Sequence, residues 1–154
     1  MGLSPLKKQA GCKFCYNISM TTSTQPKVFI VEDDRFLLDM YVLKFGERGF
    51  NVSTAFGGLE ALDEFKKPET KPDVVLLDLV MPEVGGFEVL EQVKQQKLIP
   101  SAIIIILSNL GQKEDIDRGL ALGADGYIVK ASATPTEVVN RVLAIMEQKR
   151  KSKR

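Results

Sequence analysis

From Lys27 onward the chain alternates short β-branched runs with longer amphipathic stretches, and this alternation restricts the fold more than any other feature. The runs are Val28–Val31, Asn51–Ala55, Val74–Leu77, Ala102–Leu107 and Gly126–Val129. Between them, apolar spacing predicts helices over about Asp34–Arg48, Gly58–Lys66, Gly86–Gln96, Lys113–Leu122 and Thr136–Lys149. Phe87, Leu90 and Val93 share a face of the third; Val138, Val142 and Met146 form one row of the fifth, and Val139 and Leu143 another. Gly49, Pro68 and Gly123 supply stops. Strands joined through helices run parallel, because each crossover returns the chain to the same end of the sheet. Three runs are continuously apolar, as strands covered on both faces must be. The expectation is an α/β, doubly wound, five-stranded parallel sheet. Periodicity leaves the strand order open. Sheets of this class place their sites beyond the carboxyl ends of the strands, so the chemistry is to be sought there.

Length and charge narrow the function classes. At 154 residues with 44% apolar content, the chain can bury one domain core. Its longest apolar run, Ala102–Leu107, is far too short to span a membrane. The N-terminal lysines precede no signal-peptide stretch, and Leu6 stands where a myristoylation signal needs Ser or Thr. No membrane insertion is expected, and the cytoplasm is the expected compartment. All twenty acidic residues lie between 26 and 148, against thirteen basic ones, leaving −7 on the body. Lys149, Arg150, Lys151, Lys153 and Arg154 follow it. An acidic body is not expected to bind nucleic acid; the basic end suits the dipole of a terminal helix.

Cys12 and Cys15 form a CxxC pair, but a chain without histidine cannot complete a four-ligand zinc site from two sulfurs. Neither the strand nor the helix start of a thioredoxin-like motif flanks them. Residues 1–25 are expected to be a flexible leader, with Met20 an alternative start, 26–148 the domain and 149–154 a basic tail.

The strand ends carry the chemistry. Strand one ends in Glu32-Asp33-Asp34, strand three in Asp78, strand four in Ser108-Asn109 and strand five in Lys130. Carboxylates held close raise one another's pKa unless a cation joins them. Mg²⁺ suits such a set, since one or two carboxylates plus waters and phosphate oxygens complete its six positions. With the charge offset, a phosphoryl group can approach and Asp78 becomes a candidate nucleophile, forming an acyl phosphate. Ser108 can then hydrogen-bond one phosphoryl oxygen and Lys130 neutralise another. Taken singly, each acid reads as a solvated loop residue or a cap, and Asp34 is assigned as the cap of the first helix. The specific signal is the register of these residue types at four strand ends.

Val28-Phe-Ile-Val-Glu-Asp-Asp34, Pro72-Asp-Val-Val-Leu-Leu-Asp-Leu-Val-Met-Pro82 and Gly123-Ala-Asp-Gly-Tyr-Ile-Val-Lys130 resemble the receiver (CheY-like) domain of two-component response regulators. The resemblance covers about residues 26–148. It implies a flavodoxin-like three-layer sandwich with strand order 2-1-3-4-5, Asp78 as phosphoacceptor, and Glu32 and Asp33 as the acidic pair. It further implies Mg²⁺ held by Asp33, Asp78 and the Val80 carbonyl, with Glu32 acting through water. Ser108 and Tyr127 match the switch pair, and Lys130 the phosphate-contacting lysine. The implied function is phosphorelay signalling, with no enzymatic activity beyond self-catalysed phosphorylation and slow dephosphorylation. Without histidine, the chain needs an outside donor: a sensor histidine kinase, a histidine phosphotransfer protein or a small phosphodonor. With few residues after the fifth helix, a single-domain form is expected, speaking to a downstream effector through its helix four–strand five–helix five face.

Three departures bear on the chemistry. Ala131 follows Lys130 where receivers often have a cis proline; a non-proline cis bond costs about 3–4 kcal/mol, so a trans peptide is expected. Asn109 replaces the small residue common after the switch hydroxyl and narrows access. Val80 and Leu110 border the path of hydrolytic water in the family, and neither can orient a water, which predicts a long-lived phosphoryl mark. Three other readings compete. A haloacid-dehalogenase-like phosphotransferase needs a second aspartate where Val80 stands. A flavodoxin-like nucleotide binder needs a phosphate loop where Glu32-Asp33-Asp34 would repel an anion. A phosphorylation-independent interaction module would not need the full acidic set, Ser108 and Lys130.

Overall fold

The computed structural model describes residues 24–153; Leu6, Cys12, Cys15 and Met20 lie outside them. Strands β1 (Lys27–Val31), β2 (Asn51–Ala55), β3 (Val74–Leu77), β4 (Ile103–Ser108) and β5 (Gly126–Val129) alternate with helices α1 (Arg35–Glu47), α2 (Gly58–Phe65), α3 (Gly86–Gln96), α4 (Lys113–Ala121) and α5 (Pro135–Ser152). The strands form one parallel sheet in the order β2-β1-β3-β4-β5, as the resemblance implies.

Side chains alternate across each strand, so the apolar runs feed two cores. Phe29, Val31, Val75, Leu77, Ile104 and Ile106 face α2 and α3, meeting Leu62, Phe65, Leu90 and Val93. Val28, Ile30, Val74, Leu76, Ile105, Leu107 and Ile128 face α1 and α5, meeting Leu38, Phe45, Val138 and Val142. Each such fully buried side chain stabilises the fold by about 1.5–3 kcal/mol relative to exposure. Helix α4 is the loosest layer: Gly119 is its only buried residue.

Boundaries move where local hydrogen bonds decide them. The β4 strand begins one residue later than its apolar run, because the Ala102 N–H is spent on the Ile99 carbonyl in a turn. At its other end Ser108 pairs with Val129 and belongs to the ladder. Asp34 caps α1 by accepting from the Leu37 N–H at 3.0 Å, as anticipated. Helix α5 starts at Pro135 rather than Thr136, since Thr134 and Glu137 close a capping box around a proline at the first helical position. It runs on to Ser152, carrying Lys149, Arg150 and Lys151 in its last turn, where the dipole favours cations. Among the described residues every peptide bond is trans, Lys130–Ala131 included, and no helix is long and apolar enough to cross a membrane.

Candidate functional site

Adjacent strands β1 and β3 pair Val31 with Leu77, so the next residues of each, Glu32 and Asp78, emerge side by side. The ladder fixes both backbones: the Asp78 N–H donates to the Val31 carbonyl at 3.0 Å, and the Glu32 N–H to the Ala55 carbonyl at 3.1 Å. Both side chains are buried, with residue exposures of 2% for Glu32 and 5% for Asp78, whereas Asp33 is exposed. Carboxylate oxygens of the three lie within 4.8 Å of one another.

Each buried acid has partners. Glu32 Oε1 accepts from the Asp34 N–H at 3.1 Å, and Oε2 accepts from Lys130 Nζ. Asp78 Oδ1 accepts from the Leu79 N–H at 2.8 Å, and Oδ2 stands 3.4 Å from the same ammonium. Lys130 opens a 3₁₀ turn (Lys130–Ser132) directly after β5 and is itself only 8% exposed at the side chain. Burial pushes the Glu32 carboxyl above its ordinary range, against the lowering effect of the hydrogen bond from Lys130. Burial likewise raises Asp78, opposed chiefly by the Lys130 charge. A single ammonium between two raised carboxyls leaves the cluster short of positive charge.

These groups wall a crevice of about 260 Å³ together with Asp34, Leu37, Val80 and Asn109. Val80 is 60% exposed at its mouth, and Asn109 forms part of the wall. Ser108 is fully buried and Tyr127 half-buried, and neither lines the crevice. They are joined instead through one residue. The Leu110 N–H donates to Ser108 Oγ at 3.3 Å, and the Tyr127 hydroxyl donates to the Leu110 carbonyl at 2.6 Å. Burial, then the Asp115 carboxylate, hold the Tyr127 phenol above its usual pKa.

Two features at the site escaped the reading of the sequence. Lys130 engages Glu32 as well as Asp78, because Glu32, not Asp33, is the acid that turns inward. Gly86, the first residue of α3, lies against the end of β3: a Cβ there would fall 2.1 Å from the Asp78 carbonyl oxygen and 2.8 Å from Leu79 Cα. Its N–H donates to the Leu79 carbonyl at 3.0 Å. In sequence Gly86 reads only as the start of the third helix; its position eight residues past Asp78 was the available signal.

Comparison with known proteins decides the family. The model for the response regulator receiver domain matches residues 28–143. This chain belongs to the response regulator receiver domain family. The receiver is 36% identical over 123 residues to the phosphate regulon transcriptional regulatory protein PhoB of Rhizobium meliloti, covering 80% of this chain and 53% of that protein. It is 38% identical over 125 residues to the alkaline phosphatase synthesis transcriptional regulatory protein PhoP of Bacillus subtilis, covering 79% and 49%. The chain thus spans about half the length of the curated relatives it matches. Among solved structures, the Vibrio cholerae chemotaxis protein CheY4 superposes with a TM-score of 0.72 at 28% identity, covering 79% of this receiver and 99% of that chain. A chain of the CheX–CheY–BeF₃–Mg²⁺ complex from Borrelia burgdorferi gives a TM-score of 0.71 at 30% identity, covering 78% and 88%.

An oxygen-only donor set with two buried carboxyls raised by desolvation fits a small hard divalent cation such as Mg²⁺. Receivers are in general binding and switching domains rather than enzymes, and this receiver has the acidic pocket the family uses for its metal.

Proposed function

We propose that this receiver accepts a phosphoryl group on Asp78 from a phosphohistidine of a partner sensor kinase or phosphotransfer protein, and that the modification switches a protein-binding surface. The observation that carries this reading is the convergence of Glu32, Asp33 and Asp78 oxygens within 4.8 Å, with Lys130 reaching two of them. Asp33, Asp78 and the Val80 carbonyl would hold Mg²⁺, with Glu32 acting through water. A cation bound there offsets carboxylate charge and lets an anionic phosphoryl group approach.

The chain's own residues supply the rest. Asp78 Oδ1 is held by the Leu79 N–H, leaving Oδ2 as the attacking oxygen. An Oδ2–phosphorus bond forms as the phosphorus–nitrogen bond of the donor breaks, and the leaving imidazole keeps that bond's electrons and takes a proton from water. Lys130 exchanges part of its contact with Asp78 for a phosphoryl oxygen, and Ser108 turns its hydroxyl toward another. Tyr127 follows into the space beside α4, shifting the population between two packings of the α4–β5–α5 face, where a downstream effector binds. The weak packing of α4 supports this, since a helix with one buried residue costs little to move.

Incubation with acetyl phosphate and Mg²⁺ tests the proposal by intact mass. A gain of about 80 Da in the wild type, absent from Asp78→Ala, supports the switch. No such species with acetyl phosphate or any phosphohistidine donor would leave a phosphorylation-independent interaction module on the same fold.

A further inference from the structure

At the opposite end of the sheet from Asp78, the segments entering β3 and β4 enclose a second crevice of about 520 Å³. Its floor is apolar: Phe65 from the end of α2 and Ile99 are buried, and Leu98 is half-buried. Its rim is basic. Lys66, Lys67 and Lys71 stand on one bank and Lys97 on the other, all exposed, and no carboxylate lines it. Two of these lysines are already paired, which leaves Lys71 and Lys97 as the rim's unpaired charges among the described residues. Asp63 and Glu64 pair along α2 with Lys66 and Lys67, and Glu64 and Glu69 line the neighbouring crevice on the β2 side. Lys71 and Lys97 form no ion pair among the described residues.

We propose that this crevice docks an acidic segment of a partner protein, with an apolar side chain seated on Phe65, Leu98 and Ile99 and carboxylates flanking it toward the lysines. The volume accommodates a bulky anchor with adjacent backbone. Cations on both banks favour an occupant that is negative on either side of its anchor. Lysines are flexible point charges that meet carboxylates without demanding a fixed fork. Prolines 68, 72 and 100 stiffen the walls, so little ordering entropy opposes docking. Two unpaired cations, Lys71 and Lys97, on a domain whose body is net acidic also steer such a segment here and away from the Asp78 end. The surface is remote from the phosphorylation crevice, so it acts as a tether independent of the Asp78 state.

Fluorescence anisotropy with the full chain tests it, using a labelled peptide of Asp and Glu around a central Leu-Phe pair. Saturable binding is expected, weakened roughly tenfold when NaCl rises from about 0.05 to about 0.3 M. Lys71→Glu/Lys97→Glu should lose at least about tenfold in affinity with an unchanged melting temperature, and Leu98→Ser should lose affinity through the floor alone. Asp78→Ala should bind as the wild type does, which separates this proposal from the phosphorylation reading. Equal binding by the charge-reversed variant, or by a peptide lacking the Leu-Phe pair, overturns the proposal. So does binding to anionic phosphatidylserine vesicles without binding to the peptide, or self-association that the double variant abolishes.

Discussion

Replacing Lys130 by methionine keeps most of the side chain's volume and removes its charge. At 3.4 Å from Asp78 Oδ2, with an effective dielectric near 20, the ammonium's attraction to that carboxylate is about 5 kcal/mol before desolvation. The Glu32 contact adds to it, and the cost of burying the lysine subtracts. Breaking a buried ion pair at one partner typically costs about 3–5 kcal/mol, and the crevice admits some solvent, so about 3 kcal/mol is expected at neutral pH. In a chain of this length that lowers the melting temperature by roughly 6–12 °C.

The pH dependence carries the sign. Glu32 and Asp78 titrate higher in the folded protein than in the unfolded chain, so folding takes up protons and stability declines as pH rises through their raised values. Without Lys130 both rise further, and the decline steepens. The gap between wild type and Lys130→Met should therefore be small below about pH 3, where both carboxyls are protonated folded or unfolded, and fully open near about pH 8. Urea melts followed by circular dichroism in EDTA read it directly, and saturating Mg²⁺ should narrow it at neutral pH. A gap equal at both pH values and indifferent to Mg²⁺ would refute the electrostatic account and assign the loss to packing.

Gly86→Ala forces a Cβ to within 2.1 Å of the Asp78 carbonyl oxygen, so α3 or the β3 end must shift; a loss of about 1–3 kcal/mol in chemical denaturation and slower phosphorylation by acetyl phosphate are expected. Asp125→Ala removes the acceptor of the Ile104 N–H at 2.9 Å and the partner of Lys149 at 3.0 Å, and should cost about 1–3 kcal/mol in the same assay without altering the phosphorylation rate. Val80→Asn places a water-orienting amide at the exposed mouth of the crevice; acyl-phosphate decay should accelerate, and an equal or slower rate counts against the long-lived mark.

The five strands and helices were legible because each carries its own period, and Glu32, Asp78 and Lys130 because they sit where those periods stop. Strand order was not legible from periodicity, since the side-chain pattern of a strand buried on both faces names no neighbour; the motif resemblance supplied it. Nor was the choice of Glu32 over Asp33 as the inward acid, which depends on the pleat of β1 continuing one residue past its last pair. The lysine-rimmed crevice was hidden for a different reason. Lys71 and Lys97 are separated by β3 and all of α3, and only the parallel crossover returns the chain to the same end of the sheet.

Leu110 uses both halves of its backbone: its amide reaches Ser108 and its carbonyl receives Tyr127. The two contacts lie on the peptide units that meet at one Cα, so a rotation at that Cα would gear the two hydroxyls together through main chain. An alanine scan of the loop would pass over that gear, because trimming Leu110 leaves both contacts in place. Leu110→Pro deletes the N–H and fixes φ at this residue, and would disengage Ser108 while leaving the tyrosine a carbonyl acceptor.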